Sequence, residues 1–126
     1  MKKMKLIIDT SKNQSISLEL LQNDKSLAKK EFEAAFSQAE KLLPEIDSLL
    51  STINKTVKDL KEIKVANNGG SFTALRIGIV TANTLAYSLN IPVSSLDGKS
   101  LRIDGIQMVK PEYSSEPNIT IARKKL

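Results

Sequence analysis

Histidine, cysteine and tryptophan are all missing from the 126 residues. Their absence removes Ser-His-Asp and Cys-His nucleophilic catalysis, thiolate zinc sites, CxxC redox chemistry and any disulfide framework. Aromatics are scarce, at 4%. No stretch approaches the roughly 20 apolar residues that span a bilayer, and the run Leu6–Ile8 behind the basic start MKKMK is too short for a signal h-region. Such a sequence reads as soluble and cytoplasmic, with no membrane partner, and zero cysteine suits a reducing compartment. What is present is a 40% hydrophobic chain of one domain's length, enough to build a core. Its net charge is +5, carried by lysines with only three arginines. Readers of nucleic acid concentrate arginine with aromatics, so RNA contact is expected only through a larger complex.

Lys5–Asp9 reads as a strand buried on both faces and central in its sheet, followed by a polar turn. Ser15–Leu21 alternates, Asn23-Asp24 breaks it, and Ser26–Phe32 reads as a third strand, giving an antiparallel meander. Phe36, Ala39, Leu43, Ile46, Leu50 and Ile53 recur at helical spacing, widened by Leu42 and Leu49. Ser37-x-x-Glu40 matches a capping box, which starts this helix near Gln38, and Pro44 should bend it. Glu62–Ala66 is a fourth strand and Val93–Leu96 a fifth. Between them, 72–89 is a helix with one charge, Arg76, and two apolar stripes. Leu75, Ile79, Ala82, Ala86 and Leu89 form one; Ile77, Val80, Thr84 and Tyr87 form the other. Leu101–Met108 reads as a hairpin around Asp104-Gly105, and the rest is an extended polar tail. The expected division is a lobe over 1–97 and a hairpin with tail over 98–126.

Two places could carry chemistry. Asp9-Thr10-Ser11 ends the first strand, at the edge where open α/β sheets bind ligands. Asp9 there could hold magnesium through water, with the hydroxyl of Ser11 near phosphate oxygens; equally, Asp9 could organise a turn. Asn67-Asn68-Gly69-Gly70-Ser71 leads from strand to helix, and free amides with glycines attract anions. The same turn could simply cap the helix through Ser71. Neither GxxxxGK[ST] nor GxGxxG is present.

In order and spacing, IIDTS, LLPEI, GGSFTALRIG and LAYSLNIPV resemble the TsaB family, over roughly residues 5–97. Pro111, Tyr113 and Pro117 give a looser echo of that family's terminal P-x-Y pattern. The departures are Asn68-Gly69 where Gly-Pro is usual, Ala74 for a glycine, and Gln38-Ala39 where the family has His-Ser before Glu40. The resemblance implies the actin-like, Hsp70-type ATPase superfamily, here as one RNase H-like lobe with a mixed five-stranded sheet and two main helices. It implies a TsaD-like partner, a TsaE-like ATPase, and a place in making threonylcarbamoyl-adenosine on tRNA.

It further implies a non-catalytic scaffold without cofactor or metal, joined to TsaD through the two helices and homodimeric when alone. That reading puts Ala39, Leu42, Leu43, Ile46, Leu75, Ile79, Ala82 and Ala86 in the partner interface. The alternative is an enzyme lobe that binds nucleotide or phosphate through Asp9, Ser11, Gly69, Gly70 and Ser71. A peptidase finds no nucleophile–base pair in this chain. Which α2 stripe faces the sheet is open at this stage.

Overall fold

A computed structural model describes residues 3–12, 15–33, 38–70 and 72–112. The elements run β1 (Met4–Asp9), β2 (Ser15–Gln22), β3 (Lys25–Glu33), α1 (Gln38–Ser51), β4 (Glu62–Val65), α2 (Phe72–Leu89), β5 (Val93–Ser95), β6 (Leu101–Ile103) and β7 (Ile106–Met108). The first five strands form one mixed sheet in the order β3-β2-β1-β4-β5, with β1 in the middle. β2 runs antiparallel to β1 and β3, while β1, β4 and β5 are parallel. This is the single α/β lobe expected from the sequence.

Its hairpin turns follow local chemistry. Asn23 (φ 53°) and Asp24 (φ 67°) both take left-handed backbone, as does the pair Asp104 and Gly105 between β6 and β7. Two consecutive positive φ values match the twist of the strands they join, and Asn, Asp and Gly tolerate them best. Both helices end on an asparagine in the same conformation, Asn54 and Asn90. In each case an amide beyond the helix returns to a carbonyl five residues back, Lys55 N to Leu50 O and Ile91 N to Ala86 O, both at 3.0 Å. These bonds satisfy carbonyls that the helix ends leave open. Ser37, the proposed cap of α1, lies outside the described residues, and Pro44 sits inside α1. The connection to β4 contains a short 3-10 turn, Val57–Asp59, that periodicity did not suggest.

The core lies between one sheet face and the two helices, which pack side by side. Leu6 and Ile8 of β1, Ile16, Leu18 and Leu20 of β2, and Ile63 and Val65 of β4 are fully buried. Against them lie Leu42, Ile46 and Leu50 of α1 and Leu75, Ile79, Ala82 and Ala86 of α2. The expectation that β1 is buried on both faces is corrected. Lys5, Ile7 and Asp9 alternate with the buried set and are only half-buried. β1 is central because it has partners at both edges, and polar or charged residues keep its second face wet.

The β6–β7 hairpin is bound to the lobe. Val109, just after it, is buried in the core and paired with Asn83 of α2. The Asn83 amide donates to Val109 O (3.0 Å) and accepts from Val109 N (2.9 Å). Val93 N donates to the side chain of Gln107, tying the hairpin to β5 as well.

Candidate functional site

The end of β1 is where α2 and the sheet come closest. Thr10 is fully buried and its Oγ1 donates to Ala74 O at 2.6 Å. Gly78, one turn further along α2, lies directly over it. A Cβ on Gly78 would fall 2.5 Å from Thr10 Oγ1. Gly70 is tighter still, because a Cβ there would meet the carbonyl oxygen of Ser11 and lie 2.6 Å from its Cα. Both glycines thus permit close backbone approach between the β1 end and α2. Gly69 takes φ +87° and has open space around it. Asp9 Oδ1 accepts from Ser11 N (2.8 Å) and Ser11 Oγ (2.5 Å), an Asx-type turn. Of the five residues considered for phosphate, Asp9, Ser11 and Gly70 are brought together in this way, and their mutual contacts already occupy Asp9 Oδ1 and the space at Gly70. Ser71 lies outside the described residues.

Beside this turn the carboxyl edge is strapped. Asn67 is buried, its Nδ2 donates to Lys110 O (2.9 Å), and its own carbonyl accepts from Glu112 N (2.7 Å). Further along, Ser95 Oγ donates to Asp97, which holds the Asp97 carboxyl below its ordinary value of 3.8. Composition gave no hint of the Asn67 and Asn83 clasps. Asn83, an amide within a largely apolar helix, was the available signal.

The two helices present a different surface outward. Leu43 is 53% exposed on α1; on α2, Val80 is 58% and Tyr87 66% exposed. This corrects the residues assigned to a partner interface. Leu42, Ile46, Leu75, Ile79, Ala82 and Ala86 are at most 3% exposed, because they pack on the chain's own sheet. Leu43 alone of that set faces solvent, and the side chain of Ala39 lies outside the described residues. The stripe left free on α2 is the second one, through Val80, Thr84 and Tyr87. Tyr87 also borders a groove of about 640 Å³ between the end of α2 and the hairpin, with Arg102 and Gln107 among its other walls. Among the described residues no helix is long and apolar enough to cross a membrane.

Comparison with known proteins places this arrangement. Residues 32–121 match the family model described as TsaD, tRNA N6-adenosine threonylcarbamoyltransferase. The chain is 37% identical over 91 residues to the tRNA threonylcarbamoyladenosine biosynthesis protein TsaB of Bacillus subtilis, covering 72% of this chain and 39% of that protein. Among solved structures, YeaZ from Pseudomonas aeruginosa superposes with a TM-score of 0.67 at 28% identity, over 75% of this chain and 43% of that one. A Bacteroides thetaiotaomicron protein with an actin-like ATPase fold superposes at 0.50 with 11% identity, over 77% and 34% of the two chains, a likeness of fold alone. The chain therefore spans about two fifths of the length of the TsaB and YeaZ relatives. By the family match and the TsaB identity together, this chain belongs to the TsaB family, a TsaD-related group with the actin-like fold.

Proposed function

We propose that this chain is a non-catalytic TsaB-type subunit that docks a TsaD-type partner through the outward faces of α1 and α2, in the cytoplasmic pathway to threonylcarbamoyladenosine on tRNA. The observation that carries this reading is the pair Leu43 and Val80. Each is an aliphatic side chain more than half exposed on a helix whose opposite face is already filled by the sheet. Further support comes from the names of the relatives, one a biosynthesis protein for this nucleoside and one family model a transferase acting on tRNA. Without a partner, the same face serves a second copy of the chain about a two-fold axis. A TsaE-like ATPase would join the assembly through the partner.

The non-catalytic part rests on the β1 end. Asp9 Oδ1 takes two hydrogen bonds from Ser11, and Gly70 packs against the Ser11 backbone, so these residues serve the turn itself. The test is co-purification with a TsaD-type subunit, with Val80→Asp and Leu43→Asp as the variants. The reading expects both to remain folded by circular dichroism and to lose the partner. Retention of the partner by both folded variants overturns it.

A further inference from the structure

We propose that the amino edge of the sheet, together with the groove between α2 and the hairpin, binds single-stranded RNA directly. The topology brings the starts of β1, β4 and β5, the β2–β3 turn, the ends of α1 and α2, and the β6–β7 turn to one end of the lobe. Among the described residues this end carries seven cations: Lys3, Lys5, Lys25, Lys55, Lys58, Lys61 and Arg102. The carboxylates beside them are Asp24, Asp59, Glu62 and Asp104. The ends of α1 and α2 add about half a negative charge each, which accounts for roughly one more lysine. A positive excess remains after both corrections. Asp24 pairs with Lys5 at 3.7 Å, and Asp59 Oδ2 accepts from Thr56 N, while Lys3, Lys25, Lys55, Lys58 and Lys61 stand exposed.

The groove opens onto that charge. One wall is Tyr87, 66% exposed in the last turns of α2, and another is Arg102, held by donating from Nη1 to Gly105 O at 2.9 Å. Asn90 and Pro92 line it nearer the sheet. Pro92 O accepts from Ile63 N, which places the groove beside the start of β4, two residues from Lys61. An exposed aromatic ring and a guanidinium in one groove can hold a flat base, and lysines alongside can meet the phosphates flanking it. An acidic peptide would use the lysines but not the ring. The inference does not depend on the partner-docking face, and rests on the proposed function only for which RNA is met in the cell.

The experiment titrates the full chain, alone, into a fluorescein-labelled oligouridylate of about ten nucleotides, a length within the usual site sizes. Binding is read by anisotropy at several salt concentrations from about 50 mM upward. The wild-type chain is expected to bind, with affinity falling steeply as salt rises. The triple variant Lys55→Glu/Lys58→Glu/Lys61→Glu should weaken binding on the order of tenfold or more and reduce the logarithmic salt slope by about 2. Tyr87→Ala should weaken it roughly tenfold with the slope unchanged, and Tyr87→Phe should restore it. Lys12→Glu/Lys110→Glu, at the opposite edge, should leave it unaltered. Absence of binding at the lowest salt overturns the proposal, as does insensitivity of a folded triple variant. Displacement of the RNA by polyglutamate of equal charge overturns it in favour of a general anion surface. Because no partner is in the cell, a failure here leaves the TsaD-docking test standing, and the reverse holds too.

Discussion

Ile79 and Val80 are neighbours in α2 with similar chemistry and opposite surroundings. Ile79 is 3% exposed, among β-strand side chains, while Val80 is 58% exposed. The same division runs the length of the helix: Leu75, Ile79, Ala82 and Ala86 against the sheet, Val80, Thr84 and Tyr87 away from it. Composition hides this difference, since both stripes are apolar enough to fill a core. The distinction lies in which stripe the sheet can satisfy. One face of a five-stranded sheet takes one stripe from each of two helices, and the remainder is left for solvent or for another chain.

Sequential substitutions separate the two faces. Ile79→Asp places an unpaired charge in the core and should cost about 4 kcal/mol or more, a large part of a small domain's stability. Urea denaturation should find it largely unfolded, and a cooperative transition near the wild-type midpoint would break the assignment of faces. Gly70→Ala comes next, at about 2–3 kcal/mol, because the neighbour it strikes is the Ser11 backbone, which cannot rotate away. A shift in denaturation midpoint reads it. Val80→Asp should stay within about 0.5 kcal/mol of wild type, since Val and Asp have similar helix propensity and the site is open. Its effect belongs to association, where partner affinity should fall on the order of tenfold or more.

The smallest effect is at Asp97. Its carboxyl is held below the ordinary 3.8 chiefly by the hydrogen bond from Ser95, with Lys99 and Lys64 adding to it. A depressed folded-state value means the unfolded chain binds the proton more readily. The contribution is therefore fully present above the ordinary value and is lost as pH falls below it. Asp97→Asn should flatten the acid limb of a stability–pH curve slightly below about pH 4 and leave the neutral region almost unchanged. Urea midpoints across pH check this.

The sheet and helices were legible because their signals are local. Alternation marked β2, the 3–4 spacing marked α1, and Asp104-Gly105 marked the last hairpin. The stripe assignment was not legible, because periodicity gives the angle between two faces of a helix but not which one meets the sheet. The family motif around Gly70 and Gly78 suggested a phosphate turn. Its physical meaning became visible only when Thr10 and Ser11, some 60 residues earlier in the chain, were placed beneath it. The clasps of Asn67 and Asn83 belong to the same class, being bonds between residues far apart in sequence.

Asn83 offers Val109 the donor and acceptor that a neighbouring strand would have offered, so a helix side chain acts as one rung of a ladder. A slip of the hairpin by one residue would break both bonds and turn Val109 out of the core. The hairpin is thereby indexed to α2, and it can peel away only together with part of the core. Hydrogen exchange should show this as a slow amide at Val109, a position in no strand, that opens in the same cooperative unit as the middle of α2.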